Sequence, residues 1–333
     1  HKTYSGTPKG GIISPLLANI YLHELDKFVM KLKSEFDTPG VGQITPEYRE
    51  LHNEIKRLSH RLTKVTGEER EMVLAEYKPK RQKLMTIPCT AQTDKKLKYV
   101  RYADDFLIAV KGNREDCQWT KSKLAEFIGD TLKMELSEDK TLITHSSKCA
   151  RFLGYDVRVR RSGKIKRGGP GHVKMRTLNG GVELLVPLND KIRQFVFTKG
   201  VAIQKKDGSM FPVHRKYLVG LTDLEIVSVY NAEFRGICNY YGMASNFCKL
   251  HYLAYLMEYS CLKTLASKHK TSLSKTIDKF NDGTGKWGIP YETKQGNKRR
   301  YFANYADCKG KGPATDYISN CLLYTSDAAD DKA

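Results

Sequence analysis

The sequence predicts an α+β chain: antiparallel strands with packed helices in the first half, then a second half built from helices. Three observations carry this expectation. Residues 97–111 are rich in β-forming residues on both sides of a turn that holds two acids. Apolar residues at helical spacing precede and follow that hairpin. From about residue 190 to 282 the pattern turns helical, in segments near 190–199, 222–242, 246–269 and 271–281.

Taken in order, the chain opens on Gly6-Thr7-Pro8-Lys9-Gly10-Gly11, a loop composition, followed by an apolar segment from Ile12 to Phe28. Ser14 and Pro15 suit an N-cap and first helical position, and Leu16, Leu17, Ile20, Tyr21 and Leu25 recur at helical spacing. Residues 46–86 are charged and helical, with Leu51, Ile55, Leu58 and Leu62 on one face, and Thr66-Gly67 breaks them into a helical hairpin. After the 97–111 hairpin a helix is expected over Arg114–Leu132, with Leu124, Phe127, Ile128 and Leu132 inward. Short strands are expected at Thr141–His145 and Arg151–Arg160. Residues 160–176 hold Arg160, Arg161, Lys164, Lys166, Arg167, Lys174 and Arg176 among glycines and predict a mobile basic loop. The stretch 283–320 mixes Gly and aromatics with Lys and Arg, and 321–333 loses the basic character.

Composition bounds the function. The 333 residues carry 57 Lys plus Arg against 37 Asp plus Glu, a formal charge of +20, which points to a polyanionic partner. No apolar run approaches the ~18–20 residues of a membrane span, so no membrane partner is expected. The eight cysteines form no CxxC pair, which argues against a zinc knuckle and a disulfide framework and for a reducing, cytoplasmic setting.

Asp104 and Asp105 carry the sharpest chemistry. Phosphoryl transfer to a growing strand uses two divalent metals, and Mg²⁺ takes hard oxygen ligands while keeping several waters. Adjacent carboxylates on a turn anchored by two apolar strands supply such ligands. Taken alone, two aspartates between strands are more often an ordinary solvated turn; their neighbours reverse that preference.

Tyr102-Ala103-Asp104-Asp105 resembles the YxDD box of reverse transcriptases, with the Ala typical of group II intron enzymes. The segment from Gly6 to Leu22 resembles the preceding box, and Leu136-Ser137-Glu138-Asp139-Lys140-Thr141 and Phe152-Leu153-Gly154-Tyr155 resemble the next two, in the family's order. The 46–86 hairpin is similar to the insertion these enzymes carry before the YADD box. Leu221 to Tyr241, continued by Leu265 to Thr271, resembles the maturase segment called domain X. The resemblance spans residues 3–310.

It implies a polymerase palm, an antiparallel sheet with packed helices, over residues 1–189, including the 46–86 insertion and the 160–176 loop. An all-α thumb, or domain X, would follow over 190–282, with a partial DNA-binding region over 283–320. Residues 321–333 would stand outside the functional protein, as an artefactual or disordered tail. Asp104 and Asp105 would be catalytic metal ligands for Mg²⁺. The family's third aspartate lies in an earlier box, expected upstream of His1, so this stretch alone should be a weak polymerase. Pro8, Lys9, Gly10, Gly11 and Tyr102 would contact template and nucleotide; Lys9 stands where many members carry Gln. Lys140 would meet the triphosphate, against an equal case for an ordinary surface lysine. Phe152, Leu153, Gly154 and Tyr155 would be the primer grip, with Leu153 in the core and Gly154 allowing close backbone approach. Arg160, Arg161, Lys164, Lys166, Arg167, Arg235 and Tyr240 would bind RNA, although an aromatic at helical spacing is more often core.

The implied function is an RNA-directed DNA polymerase that also binds its intron RNA and assists splicing and mobility. Its expected partners are intron RNA, a DNA target or primer, dNTPs and a second copy in a homodimer. The alternatives are a non-catalytic RNA-binding maturase, or a retron or diversity-generating reverse transcriptase. The domain X segment and the 46–86 insertion weigh against the latter pair.

Overall fold

The computed structural model describes residues 13–40, 43–89, 94–162, 164–168, 173–176 and 179–308. It divides into two compact units: the first holds residues up to Leu153 together with Val159–Gly181, and the second holds Gly154–Arg158 and residues from Val182 onward.

The first unit begins with helix α1 (Ser14–Phe36). Ser14 is the first helical residue rather than the N-cap: Ile13 holds the cap position without a side-chain bond, and Pro15 in the first turn loses only an N–H that would be unpaired anyway. Leu22, Leu25, Val29, Leu32 and Phe36 form its buried stripe, alternating steps of three and four residues. Helices α2 (Pro46–Leu62) and α3 (Gly67–Leu84) are the expected hairpin. Thr45 caps α2 by accepting from the Tyr48 amide, and Gly67 has a φ of +64° at the turn.

Strands β1 (Lys96–Tyr102) and β2 (Asp105–Lys111) pair antiparallel with Tyr102 opposite Asp105. Helix α4 (Arg114–Asp130) follows, opened by an Asn113–Asp116 capping box. Leu97 from β1 and Leu124 and Ile128 from α4 close on the α1 stripe with Leu132, and Phe28 stacks on Phe127 with centroids 4.1 Å apart. Asp37, at the end of α1, accepts the Leu97 amide at 2.7 Å, which fastens helix to strand.

The expected strand at Thr141–His145 is absent. Ser137 O accepts the Thr141 amide and hydroxyl, Lys121 donates to Thr141 O, and Leu142 is 74% exposed. Turn bonds have taken the groups a ladder would use, and no neighbour covers the apolar side chains. The single strand expected over Arg151–Arg160 is two: β3 (Ala150–Phe152) and β4 (Tyr155–Val159), split by Leu153 and Gly154 at φ +45° and +73°. Left-handed backbone cannot continue a strand.

The basic segment is a hairpin rather than a loop: β5 (Ile165–Gly168) pairs antiparallel with β6 (Val173–Arg176). At its root Arg160 exchanges backbone bonds with Gly180 and Gly181, and Asn179 bonds both backbone groups of Ser162.

In the second unit β4 neighbours β7 (Val182–Leu185). A π-helical turn at Leu188–Ile192 leads into α5 (Arg193–Thr198). Then comes an unexpected hairpin, β8 (Ala202–Gln204) and β9 (Met210–Pro212), so this half is not all-α. Its turn is set by Asp207, which accepts from the Ser209 amide and hydroxyl, and by Gly208 at φ +82°.

Helices α6 (Asp223–Tyr240), α7 (Leu250–Lys268) and α8 (Leu273–Phe280) match the expected segments. Ile226, Val227, Tyr230, Phe234 and Cys238 of α6 pack with Leu250, Leu253, Leu256, Met257, Cys261 and Leu265 of α7. Strands β10 (Gly288–Thr293) and β11 (Gly296–Tyr301) form a last hairpin, and Trp287, Ile289 and Ala303 lie in the same core as the helices.

Candidate active-site turn and nucleic-acid contacts

The β1–β2 register leaves Ala103 and Asp104 as a two-residue turn between the paired Tyr102 and Asp105. Ala103 adopts φ +51°, a conformation that a side chain with a Cβ disfavours. Asp104, Asp105 and Tyr102 are all exposed, Tyr102 by 67%. The turn therefore presents two adjacent carboxylates and an aromatic ring at the end of the β1–β2 ladder, which Leu97 ties to the core. Two hard oxygen donors at one tip suit a hard divalent cation. Among the described residues no third Asp, Glu, His or Cys joins them.

Behind the tip stands a polar cluster that sequence reasoning missed. Arg101 donates to both oxygens of Asp26, from Nε at 2.8 Å and Nη2 at 2.6 Å. Its Nη1 donates to Asn19 Oδ1 at 3.1 Å and to the Ala103 carbonyl at 2.9 Å, and Tyr99 donates its hydroxyl to Asp26 Oδ1 at 2.8 Å. The Arg101 hydrogen bond holds the Asp26 carboxyl below its usual range, against the cost of burial. Burial, reinforced by the same carboxylate, pushes the Tyr99 hydroxyl well above its ordinary value. Nothing in the sequence singles Arg101 out, because β1 also carries Lys96 and Lys98.

The other expected site residues fall as follows. Pro8, Lys9, Gly10 and Gly11 lie outside the described residues. Lys140 is exposed, in a turn where its amide donates to Ser137 O at 3.3 Å. Phe152 and Leu153 are half-buried, so Leu153 is not core: its left-handed backbone turns it out of the ladder. Tyr155 is the buried member of that set.

Close approach does occur at Gly154. A Cβ there would lie 2.9 Å from the Tyr240 hydroxyl. Tyr241 donates to the Gly154 carbonyl at 3.2 Å, Tyr155 donates to the Tyr240 carbonyl, and the Tyr155 ring lies 5.8 Å from that of Tyr240 and 5.2 Å from that of Tyr241. Gly154 thus admits Tyr240 from the end of α6. Tyr240 remains 55% exposed, whereas Tyr241 is buried.

Arg235 is exposed on α6, Arg161 donates to Ser146 Oγ at 2.9 Å, and Arg160 and Lys164 flank the root of the basic hairpin. Lys166 and Arg167 lie on β5.

Comparison with known proteins places this geometry. The family described as reverse transcriptase (RNA-dependent DNA polymerase) matches residues 78–157, which include the acidic turn. The family described as type II intron maturase matches residues 182–322. The chain is 71% identical over 325 residues, 97% of its length, to the group II intron-encoded protein LtrA of Lactococcus lactis subsp. cremoris. The chain belongs to the group II intron-encoded reverse transcriptase and maturase family.

More distant relatives include the putative COX1/OXI3 intron 1 protein of Saccharomyces cerevisiae, 33% identical over 84% of this chain and 33% of that protein. A 91 kDa protein in the cob intron of Schizosaccharomyces pombe is 32% identical over 83% of this chain and 33% of its own length. The chain spans about half of LtrA, 54% of its length. Among the described residues no helix is long and apolar enough to cross a membrane.

Proposed function

We propose that this chain is the part of a group II intron reverse transcriptase that holds two of its catalytic carboxylates, joined to the maturase segment that binds the intron RNA. The observation that carries this reading is the Tyr102–Asp105 turn: two exposed, adjacent carboxylates on a two-residue connection, inside the reverse transcriptase match.

In this reading the first unit belongs to the palm and the helical second unit to the thumb, with residues 283–320 contributing to DNA contact. Asp104 and Asp105 would hold Mg²⁺, which when bound would lower the cost of charge on the primer hydroxyl and the leaving pyrophosphate. The residues' own work is placement. The strands fix the direction in which both carboxylates point, Tyr102 offers a ring beside them, and Lys140 supplies a cation for the triphosphate of an incoming dNTP. The basic hairpin with Arg160, Arg161, Lys164, Lys166 and Arg167, and Arg235 and Tyr240 on α6, contribute to RNA binding. The hairpin cations add affinity without choosing sequence. Cytoplasmic location accords with this work.

The test is Mg²⁺-dependent extension of a primer on an RNA template by the protein carrying this chain at the length of its relatives, alongside Asp104→Ala. Extension by the wild type and its loss in the variant, with RNA binding retained, supports the reading. Failure of both to extend, with tight intron RNA binding and faster splicing, would leave a maturase without polymerase activity.

A further inference from the structure

Arg101 is paired with Phe106 in the β1–β2 ladder, so it lies one pair behind Tyr102 and Asp105. Its side chain is 12% exposed. The fork is fully engaged: Nε and Nη2 on the two oxygens of Asp26, and Nη1 shared between Asn19 and the carbonyl of Ala103. Asn19 and Asp26 sit two helical turns apart on one face of α1. That helix is held by the adjoining stripe of Leu22, Leu25 and Val29, which lies in the core. A chain of contacts therefore runs from the core through α1 and the guanidinium to a carbonyl inside the acidic turn. The residue whose carbonyl is held, Ala103, is the one at φ +51°. A non-glycine residue keeps such a conformation only where its surroundings impose it.

We propose that Arg101 is a positioning residue for the turn that carries Asp104 and Asp105, and that Asp26 is its anchor on α1. The activity arm of the test rests on the polymerase reading above; the structural arm does not. The guanidinium suits this duty because its planar fork grips a carboxylate at two points while a third nitrogen reaches the turn. A lysine supplies one point charge and cannot hold both ends at once. The tolerance is narrow, since misplacing a catalytic group by about 1 Å costs on the order of a hundredfold in rate.

The experiment compares Arg101→Lys, Asp26→Asn and Tyr99→Phe in the full-length protein. Tyr99→Phe removes a hydroxyl from the same carboxylate but leaves the fork in place. Two measurements are made: hydrogen–deuterium exchange of the amides of residues 102–106, without metal or substrate, and primer extension with kcat and the KM for dNTP separated. Arg101→Lys and Asp26→Asn are expected to speed exchange at the turn by about tenfold or more, an increase confined to that segment. They are expected to lower kcat by roughly 10- to 100-fold with KM within about twofold. Tyr99→Phe is expected to stay within about threefold of wild type in both measurements.

Unchanged exchange at the turn in folded Arg101→Lys and Asp26→Asn overturns the proposal. So does a loss of kcat equal in all three variants and proportional to the fraction unfolded, which marks a pair that only stabilises the fold. If the wild type does not extend primers, the polymerase reading fails, and the exchange measurement still decides whether Arg101 holds the turn.

Discussion

Arg215 sets both terminal nitrogens of its guanidinium against the carboxylate of Glu233, Nη1 at 2.7 Å from Oε2 and Nη2 at 3.0 Å from Oε1. The Arg215 side chain is fully buried, with its guanidinium 4.8 Å from the Tyr230 ring and its Nε without a hydrogen-bond partner among the described residues. Burial works against the charge, and the Glu233 bond and attraction outweigh it, holding the Arg215 pKa above its ordinary value. Breaking such a pair from one side leaves an uncompensated charge inside the unit, which costs more than the pair is worth.

Glu233→Gln should therefore destabilise the second unit by about 2–4 kcal/mol, and Arg215→Met by roughly half as much, since it removes the charge as well as the bond. Lys199, 3.3 Å from Glu233, is more exposed and cannot take over the buried end. Urea unfolding read by Trp287 fluorescence in a Trp119→Phe background measures both. Equal losses would mean that the pair itself, rather than the stranded cation, supplies the stability.

Gly154→Ala should cost about 1–3 kcal/mol, because φ +73° and the 2.9 Å approach of the Tyr240 hydroxyl both oppose a Cβ. The two causes separate in a double-variant cycle. In a Tyr240→Phe background the hydroxyl is gone, although a ring carbon remains 3.3 Å away. The cost of Gly154→Ala should then fall by about 0.5–1 kcal/mol, leaving the backbone share. An unchanged cost would assign the whole requirement for glycine to backbone conformation.

These two sites show what the sequence disclosed and what it hid. The β1–β2 hairpin was legible from the β-formers on both sides of the acids, although Asp105, read as part of the turn with Ala103 and Asp104, opens β2 opposite Tyr102. Helices α2, α3, α4, α6, α7 and α8 were legible from their helical patterning. What failed was local apolar patterning without a neighbour to pair with. Thr141–His145 holds the β-formers Thr141, Ile143 and Thr144, yet Leu142 and Ile143 find no cover. The β5–β6 and β8–β9 hairpins were hidden for the converse reason: the first is short and basic enough to resemble loop, the second has only three residues in each strand, and only pairing makes them strands. Asp26 stayed invisible because Arg101 reaches it across 75 residues of chain.

Asp282 provides a pH prediction. Its carboxylate accepts from the Thr284 hydroxyl and amide, the Tyr301 hydroxyl at 3.0 Å and the Lys286 amide, and the Thr284 bonds lead in pulling its pKa down to about 2. A folded-state pKa below the unfolded value means that the ionised carboxylate favours the fold. That contribution is complete above the unfolded value near 4 and is lost as pH falls toward about 2. The stability gap between wild type and Asp282→Asn, from urea midpoints at pH 7, 5 and 3, should hold between the first two and narrow at the third. A gap constant through pH 3 would mean that the side-chain bonds do not depend on the charge.

The basic hairpin yields the last prediction, which rests on the proposed binding of RNA. Arg160 and Lys164 flank the root of the β5–β6 ribbon and Arg161 is exposed beside them, while Lys166 and Arg167 lie on β5 itself. Pairing fixes the ribbon's backbone, so cations carried on it meet phosphates at a lower entropic cost than those of a loose segment. Each phosphate neutralised releases counterions, so the slope of log affinity against log salt should fall by roughly 0.7–0.9 for every contact removed. Replacing Arg160, Arg161, Lys164, Lys166 and Arg167 by Gln should weaken intron RNA binding at low salt and flatten that slope by about 2–4, with little change in preference between RNA sequences. Filter-binding titrations from low to moderate salt measure it. A slope unchanged from wild type would remove the hairpin from the RNA interface and leave the exposed cations of α6, Arg235 among them, as the surface to test next.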